Sequence, residues 1–224
     1  MSPKKKRHQR KRTNKTGTSR NPFLPRFFII SGILAICGAC ILLGIIFFPI
    51  VREELLYRIY TLIPASQQGH SEALKASTMP IDPAFSILIP KIRINEAVVP
   101  DVDPFDSRIY QPALTKGVAH ALGSSKPDQP GNVFLFSHSS VNFLEATRFN
   151  SIFYLLSKLE KGDEVTVYYK NIPYRYIVTD KRIVDPTAIN YLKGDASGQT
   201  LTLMTCWPPG TNFRRLIILA ELQK

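Results

Sequence analysis

Cys206 is the residue in this 224-residue sequence whose type and position best fit covalent chemistry. The sequence has no other cysteine after residue 40. A lone cysteine in a domain outside the cytoplasm is an intermolecular bridge, a buried spectator or a reactive thiol. Cys206 follows the apolar run Leu201–Thr205 and precedes Trp207-Pro208-Pro209-Gly210. This pattern predicts a thiol at a strand end that opens into a loop, and it leaves the three alternatives open.

Histidines are the first candidates for the partner that a cysteine nucleophile needs to become a thiolate. His70 lies in a polar stretch. His138 directly follows the apolar strand candidate Val133–Ser137 and is flanked by hydroxyl-bearing residues, which suits a side chain presented at a strand edge. His120 is the second candidate. A purely structural role is the alternative for both His120 and His138.

Arg214 and Arg215 are candidates for stabilising the oxyanion that develops during acyl transfer. They lie between the loop after Cys206 and the apolar run Leu216–Leu222. In a strand that begins near Arg214, the two arginines face opposite sides of the sheet. Periodicity alone does not choose between them.

The elements that must hold these residues are short and rich in β-forming residues. Helical spacing is confined to Phe143–Leu159 and to a turn at Ile189–Leu192, and Lys170-Asn171-Ile172-Pro173 reads as a hairpin connection. About eight short strands with one or two small helices in residues 84–224 predict a mainly β fold, a closed barrel. The strand candidates are Ser86–Ile89, Ile92–Ile94, Ala97–Val99, Val133–Ser137, Val165–Tyr169, Tyr174–Thr179, Leu201–Thr205 and Leu216–Leu222.

The N-terminal part of the sequence has the composition of a membrane anchor. Residues 1–26 hold ten of the 29 Lys and Arg residues and no acid, so 19 bases and 17 acids remain for the other residues. Residues 27–51 carry no charge, and this stretch is long enough to cross a membrane as a helix. The positive-inside rule then predicts a basic cytoplasmic tail, a transmembrane helix at 27–51, a helical stalk and linker at 52–83, and an extracellular domain at 84–224. The competing interpretation, a cleaved signal peptide, fits less well because no small-x-small site follows the apolar run.

Two other patterns in this region indicate no chemistry. Cys37 and Cys40 have C-x-x-C spacing, but no other ligand-type residue lies near them in the sequence. The simpler interpretation is that both are small apolar residues of a membrane helix. The basic run from Lys4 to Arg12 resembles a nucleic-acid patch. Because the excess charge belongs to this tail and not to the domain, we expect no nucleic-acid partner.

Two segments of the domain resemble the sortase family. Thr200-Leu-Thr-Leu-Met-Thr-Cys206, followed nine residues after the cysteine by Arg215-Leu-Ile-Ile, resembles the sortase signature T-L-x-T-C … R-L. Gly131-Asn-Val-Phe-Leu-Phe-Ser-His138 resembles the family's histidine-bearing segment, although Ser137 stands where glycine is more usual. Supporting likeness in the segments at 117–132 and 149–163 extends the resemblance over most of 84–224.

The resemblance implies an eight-stranded β-barrel and a transpeptidase in which Cys206 is the nucleophile. It implies that His138 is the general acid/base and that Arg215, which directly precedes Leu216, stabilises the oxyanion. Thr205, His120 and Ser139 are then expected beside the substrate. The implied partners are exported proteins with a C-terminal sorting motif, an amine acceptor on a cell-wall precursor or pilin, and the membrane; no metal or cofactor is expected.

Two alternatives accompany this interpretation. The domain could be a membrane-anchored surface-binding module in which Cys206 is inert. It could also be a peptidoglycan L,D-transpeptidase, although such enzymes usually carry their histidine much closer to the cysteine than the 68 residues that separate His138 from Cys206.

Asp103-Pro104-Phe105 resembles the lid of some pilus-building sortases, but it follows the apparent strands at 86–99 and is predicted to be an ordinary inter-strand turn.

Overall fold

A long N-terminal helix opens the part of the chain that the structure describes. The computed structural model describes residues 23–62, 79–139, 151–193 and 198–223. Helix α1 spans Phe23–Leu62 and contains both the predicted helix at 27–51 and its predicted extension. The chain divides into two units, Met1–Phe47 and Phe48–Lys224. Of the predicted stalk and linker at 52–83, residues 63–78 lie outside the described residues, and the predicted domain boundaries stay predictions.

The predicted membrane span concerns the length and the hydropathy of α1. Across the described residues, no helix has the combination of length and hydropathy that a membrane crossing needs. The predicted helical conformation is present, whereas the predicted membrane span is not supported.

Eight strands follow α1 within the described ranges, and two short α-helices accompany them. The helices are α2 (Ser107–Leu114) and α3 (Asn190–Lys193), and 3₁₀ turns occupy Pro90–Ile92 and Tyr154–Lys158. The strands are β1 (Phe85–Ile89), β2 (Ile94–Val102), β3 (Val118–Ala121), β4 (Gly131–Phe136), β5 (Glu164–Tyr169), β6 (Ile172–Val184), β7 (Gln199–Trp207) and β8 (Arg214–Leu222).

These strands close into a barrel in the order β1-β2-β3-β4-β7-β8-β6-β5. The pairs β2–β3 and β4–β7 are parallel, and the other described pairs are antiparallel. The predicted mainly β fold, a closed eight-stranded barrel with few helices, is confirmed.

Alternate side chains of the strands fill the barrel interior. Leu201 and Leu203 on β7 belong to the interior core, as do Leu216 and Ile218 on β8. Since successive side chains of a strand face opposite sides, the side chains of residues 202, 204 and 206 of β7 project from the outer face of the barrel. The face that carries Cys206 is therefore set by the apolar alternation of β7.

A second apolar cluster lies on this outer face and is called the outer-face cluster below. It covers the segments of β4 and β7 that lead to His138 and Cys206. Its members come from β2, β3, β4, β7 and the two short helices: Val99, Val102, Tyr110, Ala113, Leu114, Ala119, Ala121, Phe134, Phe136, Tyr191, Leu192 and Met204.

Several elements differ from the sequence predictions. Helix α2 and strand β3 were not predicted, and Ile92 belongs to a 3₁₀ turn, not to a strand. The hairpin turn is tighter than predicted, because Lys170 and Asn171 take left-handed conformations and β6 begins at Ile172. Of the predicted helix at 143–159, residues 143–150 lie outside the described residues, and Tyr154–Lys158 form a 3₁₀ helix.

Asp103-Pro104-Phe105 does not join two strands. It connects the end of β2 to α2, where Asp103 Oδ1 accepts a hydrogen bond of 2.8 Å from the backbone N–H of Phe105. The prediction of an inter-strand turn is therefore wrong, because the element after the turn is the helix α2 and not a strand. The reason is that α2 was not recognised in the sequence.

Candidate active site

Cys206 lies on β7 directly opposite Arg215 on β8. The antiparallel register pairs these two residues, and it pairs Trp207 with Arg214. Cys206 is half-buried and its thiol is not in a disulfide. Side chains of directly opposed residues project from the same face of the sheet, with their Cβ atoms about 5 Å apart. The register therefore brings Arg215, and not Arg214, to the face that carries the thiol.

The Arg215 side chain is held against the start of its own strand. Its Nη1 donates hydrogen bonds of 3.1 Å to the carbonyl oxygens of Asn212 and Arg214. The pKa of Asp185, which follows β6, is lowered by hydrogen bonds from Thr187 and further by the charges of the two arginines. A carboxylate at the end of β6 thus shares this strongly cationic end of the sheet.

His138 lies just beyond β4, on the other side of β7. The parallel register pairs Phe136 with Met204, and the Ser137 N–H donates to the Met204 carbonyl at 3.2 Å. Continuing this register by two residues brings His138 level with Cys206. The His138 carbonyl accepts a hydrogen bond of 3.0 Å from the backbone N–H of Phe153. His138, Cys206 and Arg215 therefore occupy one row across three neighbouring strand ends, called the Cys206 row below.

The Cys206 row contains the groups that acyl transfer through sulfur requires. A thiolate can attack a carbonyl carbon, an imidazole can carry a proton between thiol, leaving group and incoming nucleophile, and a guanidinium can stabilise an oxyanion. Among the described residues, no group of three or more His, Cys, Asp or Glu side chains is arranged to hold a metal ion.

Thr205 does not face the same side as Cys206. It pairs with the core residue Leu216, and its side chain is only 2% exposed. Its Oγ1 donates a hydrogen bond of 2.9 Å to the Ser137 carbonyl. Because neighbouring residues of a strand face opposite sides, the Thr205 side chain lies on the face opposite that of Cys206, and its expected contact with substrate stays a prediction. Thr205 ties β7 to the backbone directly before His138.

Substitution of Thr205 by valine tests this structural role. Valine has the same shape but no hydroxyl, so the buried Ser137 carbonyl loses its side-chain partner. We expect the free energy of unfolding to fall by about 1–2 kcal/mol, with the KM for a peptide substrate unchanged. Urea denaturation of Thr205→Val, with Thr205→Ser as the hydroxyl-bearing control, measures the effect. A T205V protein as stable as the wild type would contradict the assignment.

His120 lies on the interior side of β3 and is completely buried. The residue pairs with Leu135, a member of the interior core. The structure thus buries His120 in the barrel, and its expected position beside the substrate stays a prediction. Its ring packs against Phe85 at 5.7 Å between centroids.

The hydrogen bonds around His120 fix a neutral imidazole. Nδ1 faces two donors, the Lys126 ammonium at 3.3 Å and the Asp101 N–H at 3.4 Å. The Asp101 carboxylate lies 3.5 Å from Nδ1 and is itself bound by Lys126 at 2.9 Å, so the closer donors favour Nδ1 as an acceptor. Nε2 lies 3.1 Å from the Ser125 carbonyl, which can only accept, so this nitrogen carries the proton. The Ser124 hydroxyl lies 3.0 Å from Nε2 and donates to the Ala121 carbonyl at 2.8 Å. His120 therefore clamps the β3–β4 loop and is not a base for Ser124.

The pH dependence of stability tests the neutral state of His120. Burial, followed by the nearby Lys126 charge, lowers its pKa below the ordinary 6.5, against opposing contributions from Ser125 and Asp101. The unfolded chain takes up a proton as the pH falls through about 6.5, and the folded chain resists doing so. The free energy of unfolding should therefore decrease between pH 7.5 and 5.5. We expect His120→Gln to show a smaller decrease, whereas an equal decrease in both proteins would contradict a neutral His120.

Ser139 follows His138 and is buried, with 1% of its surface exposed. Its hydroxyl, like that of Ser137, has no hydrogen-bond partner within the described residues. The structure therefore does not present Ser139 at the surface, and its expected contact with substrate stays a prediction.

Sequence reasoning missed residues that shape the surface beside the Cys206 row. Phe136 and Met204 form part of the outer-face cluster, and Tyr191 and Leu192 of α3 pack on it. Asn132, on β4, bonds to the α3 backbone. The available signal was the alternation in β4 and β7, which places residues 134 and 136 and residues 204 and 206 on one face.

The fold and the site together define a class of protein, a closed β-barrel with a cysteine and an arginine paired at adjacent strand ends. A family model described as the sortase domain matches residues 87–223. The chain belongs to the sortase family, as the sequence resemblance implied.

Known relatives agree with this assignment. The chain is 28% identical to sortase D of Bacillus subtilis (strain 168) over 120 residues, which is 54% of this chain and 52% of that protein. The match thus spans about half the length of that relative. Sortase C-1 of Actinomyces oris has a similar structure, with a TM-score of 0.53 and 25% identity over 79% of this chain and 98% of that one. Sortase C of Clostridium perfringens, with the C-terminal cell wall sorting motif, gives a TM-score of 0.52 and 26% identity over 62% of this chain and 69% of that one.

Proposed function

We propose that this protein is a cysteine transpeptidase that cleaves a C-terminal sorting motif of exported proteins and transfers the acyl group to an amine. The observation that carries the proposal is the pairing of Cys206 with Arg215 on one face, with His138 level with them on the neighbouring strand. Membership of the sortase family supports it.

The first step forms a thioester. The Cys206 thiolate attacks the carbonyl carbon of a threonine-like residue, so that a C–S bond forms and the carbonyl π electrons move onto oxygen. Arg215 stabilises this oxyanion. As the tetrahedral intermediate collapses, the C–N bond breaks and the leaving amine takes a proton from His138.

The second step transfers the acyl group. An incoming amine attacks the thioester carbonyl, a new C–N bond forms, and the C–S bond breaks to return the Cys206 thiolate. His138 accepts the proton that the amine loses. The net reaction exchanges one amide bond for another, so it needs no redox partner or cofactor.

The substrate part of the proposal is drawn from the family. A C-terminal sorting motif on an exported protein is proposed as the acyl donor, and this is supported by the Clostridium perfringens sortase C that was characterised with such a motif. An amine of a cell-wall precursor or a pilin lysine is proposed as the acceptor.

A plasma-membrane location is proposed from the sequence, with the N-terminus in the cytoplasm and the catalytic domain outside. Ten bases in residues 1–26 followed by the uncharged residues 27–51 support this orientation. Confinement of enzyme and substrate to one membrane plane would raise their effective concentration. Protease treatment of intact cells tests the location, since loss of the C-terminal domain is expected and its full protection would contradict it.

The test of the activity uses the full chain and a pooled library of peptides with a threonine at the scissile bond. With hydroxylamine present, mass spectrometry should detect an acyl-hydroxamate product, and prior alkylation with iodoacetamide should abolish it. A peptidoglycan tetrapeptide donor serves as the comparison. Consumption of the tetrapeptide alone would favour an L,D-transpeptidase, and a native protein that neither alkylates nor consumes either donor would favour a binding module; both outcomes overturn the proposal.

A further inference from the structure

We propose that Asn132 is a positioning residue that fixes α3 on the outer face of the barrel and so sets the affinity for the peptide substrate. The inference rests on the proposed transpeptidase function. Asn132 lies on β4, six residues before His138, and 2% of its surface is exposed. No part of the proposed catalytic chemistry uses it.

The Asn132 amide uses its full hydrogen-bonding capacity. Nδ2 donates to the backbone carbonyls of Tyr191 at 3.0 Å and Leu192 at 3.3 Å. Oδ1 accepts from the hydroxyls of Thr200 and Thr202, both at 3.0 Å. Because a carbonyl can only accept, the orientation of the amide group is fixed by α3. One side chain thus connects β4, β7 and α3.

This connection is costly to break. The two α3 carbonyls lie 59 and 60 residues away from Asn132 along the chain, so the bonds fix a long-range contact. Loss of Nδ2 removes the side-chain donor from both carbonyls, which destabilises this contact. Since the bonds go to backbone atoms, they hold the path of α3 whatever side chains α3 carries.

The position of α3 bears on the Cys206 row because of what α3 covers. Tyr191 and Leu192 pack on the outer-face cluster with Phe136 and Met204. Phe136 and Met204 lie two residues before His138 and Cys206, on the same face. A peptide that lies along this face with its carbonyl at Cys206 would contact the surface that α3 borders.

The Cys206 row itself does not depend on Asn132. The backbone pairing of β7 with β8 sets Cys206 opposite Arg215, and the parallel pairing of β4 with β7 sets the level of His138. Displacing α3 should therefore weaken peptide binding and leave the chemical step intact.

Two near-isosteric variants of the full chain separate the two halves of the Asn132 connection. Asn132→Asp keeps an oxygen for Thr200 and Thr202 but replaces the Nδ2 donor by a second oxygen that faces two carbonyls. Thr202→Val is the matched control, since it removes one donor to Oδ1 and leaves the bonds to α3. We expect N132D to raise KM for the sorting-motif peptide about tenfold, with kcat changed less than about twofold, and T202V to leave both within about twofold.

Hydrogen exchange reports how firmly α3 is held, and it needs no substrate. The amides of residues 190–193 should exchange faster in N132D and at the wild-type rate in T202V. Equal effects of the two variants, an unchanged exchange rate in N132D, or a fall in kcat at constant KM would overturn the proposal. If N132D does not fold, Asn132→Ser, whose shorter side chain does not reach the carbonyls, should show the same changes. A wild-type protein without transpeptidase activity would refute the proposed function, whereas the exchange experiment would still decide the role of Asn132.

Discussion

Replacement of Cys206 by alanine is expected to lower kcat/KM for a sorting-motif peptide by about 10⁴-fold or more. Without the sulfur no thioester can form, and the remaining groups have no nucleophile to activate. The side chain is half-buried at the end of β7, and its truncation removes little packing. We expect the variant to fold and to retain peptide binding. Steady-state kinetics and circular dichroism measure the two effects.

The chain offers a matched control for the loss of a thiol. Cys37 and Cys40 are the other two cysteines of the sequence, and both lie on α1. The double variant Cys37→Ser/Cys40→Ser should retain wild-type kcat/KM. If this variant loses activity and Cys206→Ala does not, the reactive thiol has been assigned to the wrong residue.

Replacement of Arg215 by alanine is expected to lower kcat by about 10²–10³-fold, the usual effect of removing an oxyanion donor. The register places Arg215 opposite Cys206 and Arg214 opposite Trp207, so Arg214→Ala should change kcat by less than about threefold. Arg215→Lys keeps the charge but loses the planar fork of donors, and we expect an intermediate kcat. Single-turnover kinetics of thioester formation measure these effects without the contribution of the second step.

A fall in kcat for Arg214→Ala as large as that for Arg215→Ala would contradict the assignment. The folding of each variant needs its own control, since the Arg215 guanidinium bonds to the carbonyls of Asn212 and Arg214. Thermal unfolding of both variants provides it. A selective loss of kcat in Arg215→Ala with unchanged stability is the expected result.

Much of the barrel could be predicted from the sequence, because its strands are apolar runs between turn residues. Val165–Tyr169 and the turn after it follow the ordinary rules for a hairpin, and both are present. Helix α2 escaped prediction because it carries Pro112 in its interior and has a mostly polar surface. Strand β3 has four residues, which is too short for a period to be visible.

The choice between Arg214 and Arg215 shows what periodicity cannot provide. Alternation places two adjacent residues on opposite faces, but only the pairing with β7 determines which one meets Cys206. The same alternation could have excluded Thr205 from the face of Cys206, since the two residues are adjacent in one strand. The contact of Thr205 with substrate that the family resemblance implies stays a prediction.

The role of His120 was out of reach of the sequence for a different reason. Its partners Asp101 and Lys126 lie on either side of β3 in the chain, and Phe85 comes from β1. Such a cluster exists only once the barrel has closed. Asn132 is a comparable case, because its four bonds join β4 to β7 and to α3.

The most direct test of the account is to locate the covalent adduct on the protein. The full chain is incubated with a sorting-motif peptide whose scissile carbonyl carries a good leaving group, without any amine acceptor, and is then digested and mapped by mass spectrometry. One acyl adduct is expected, on the peptide that contains Cys206, and it should be absent in Cys206→Ala. An adduct on any other residue, or an adduct that persists in Cys206→Ala, would contradict the central claim that Cys206 is the acyl-forming nucleophile.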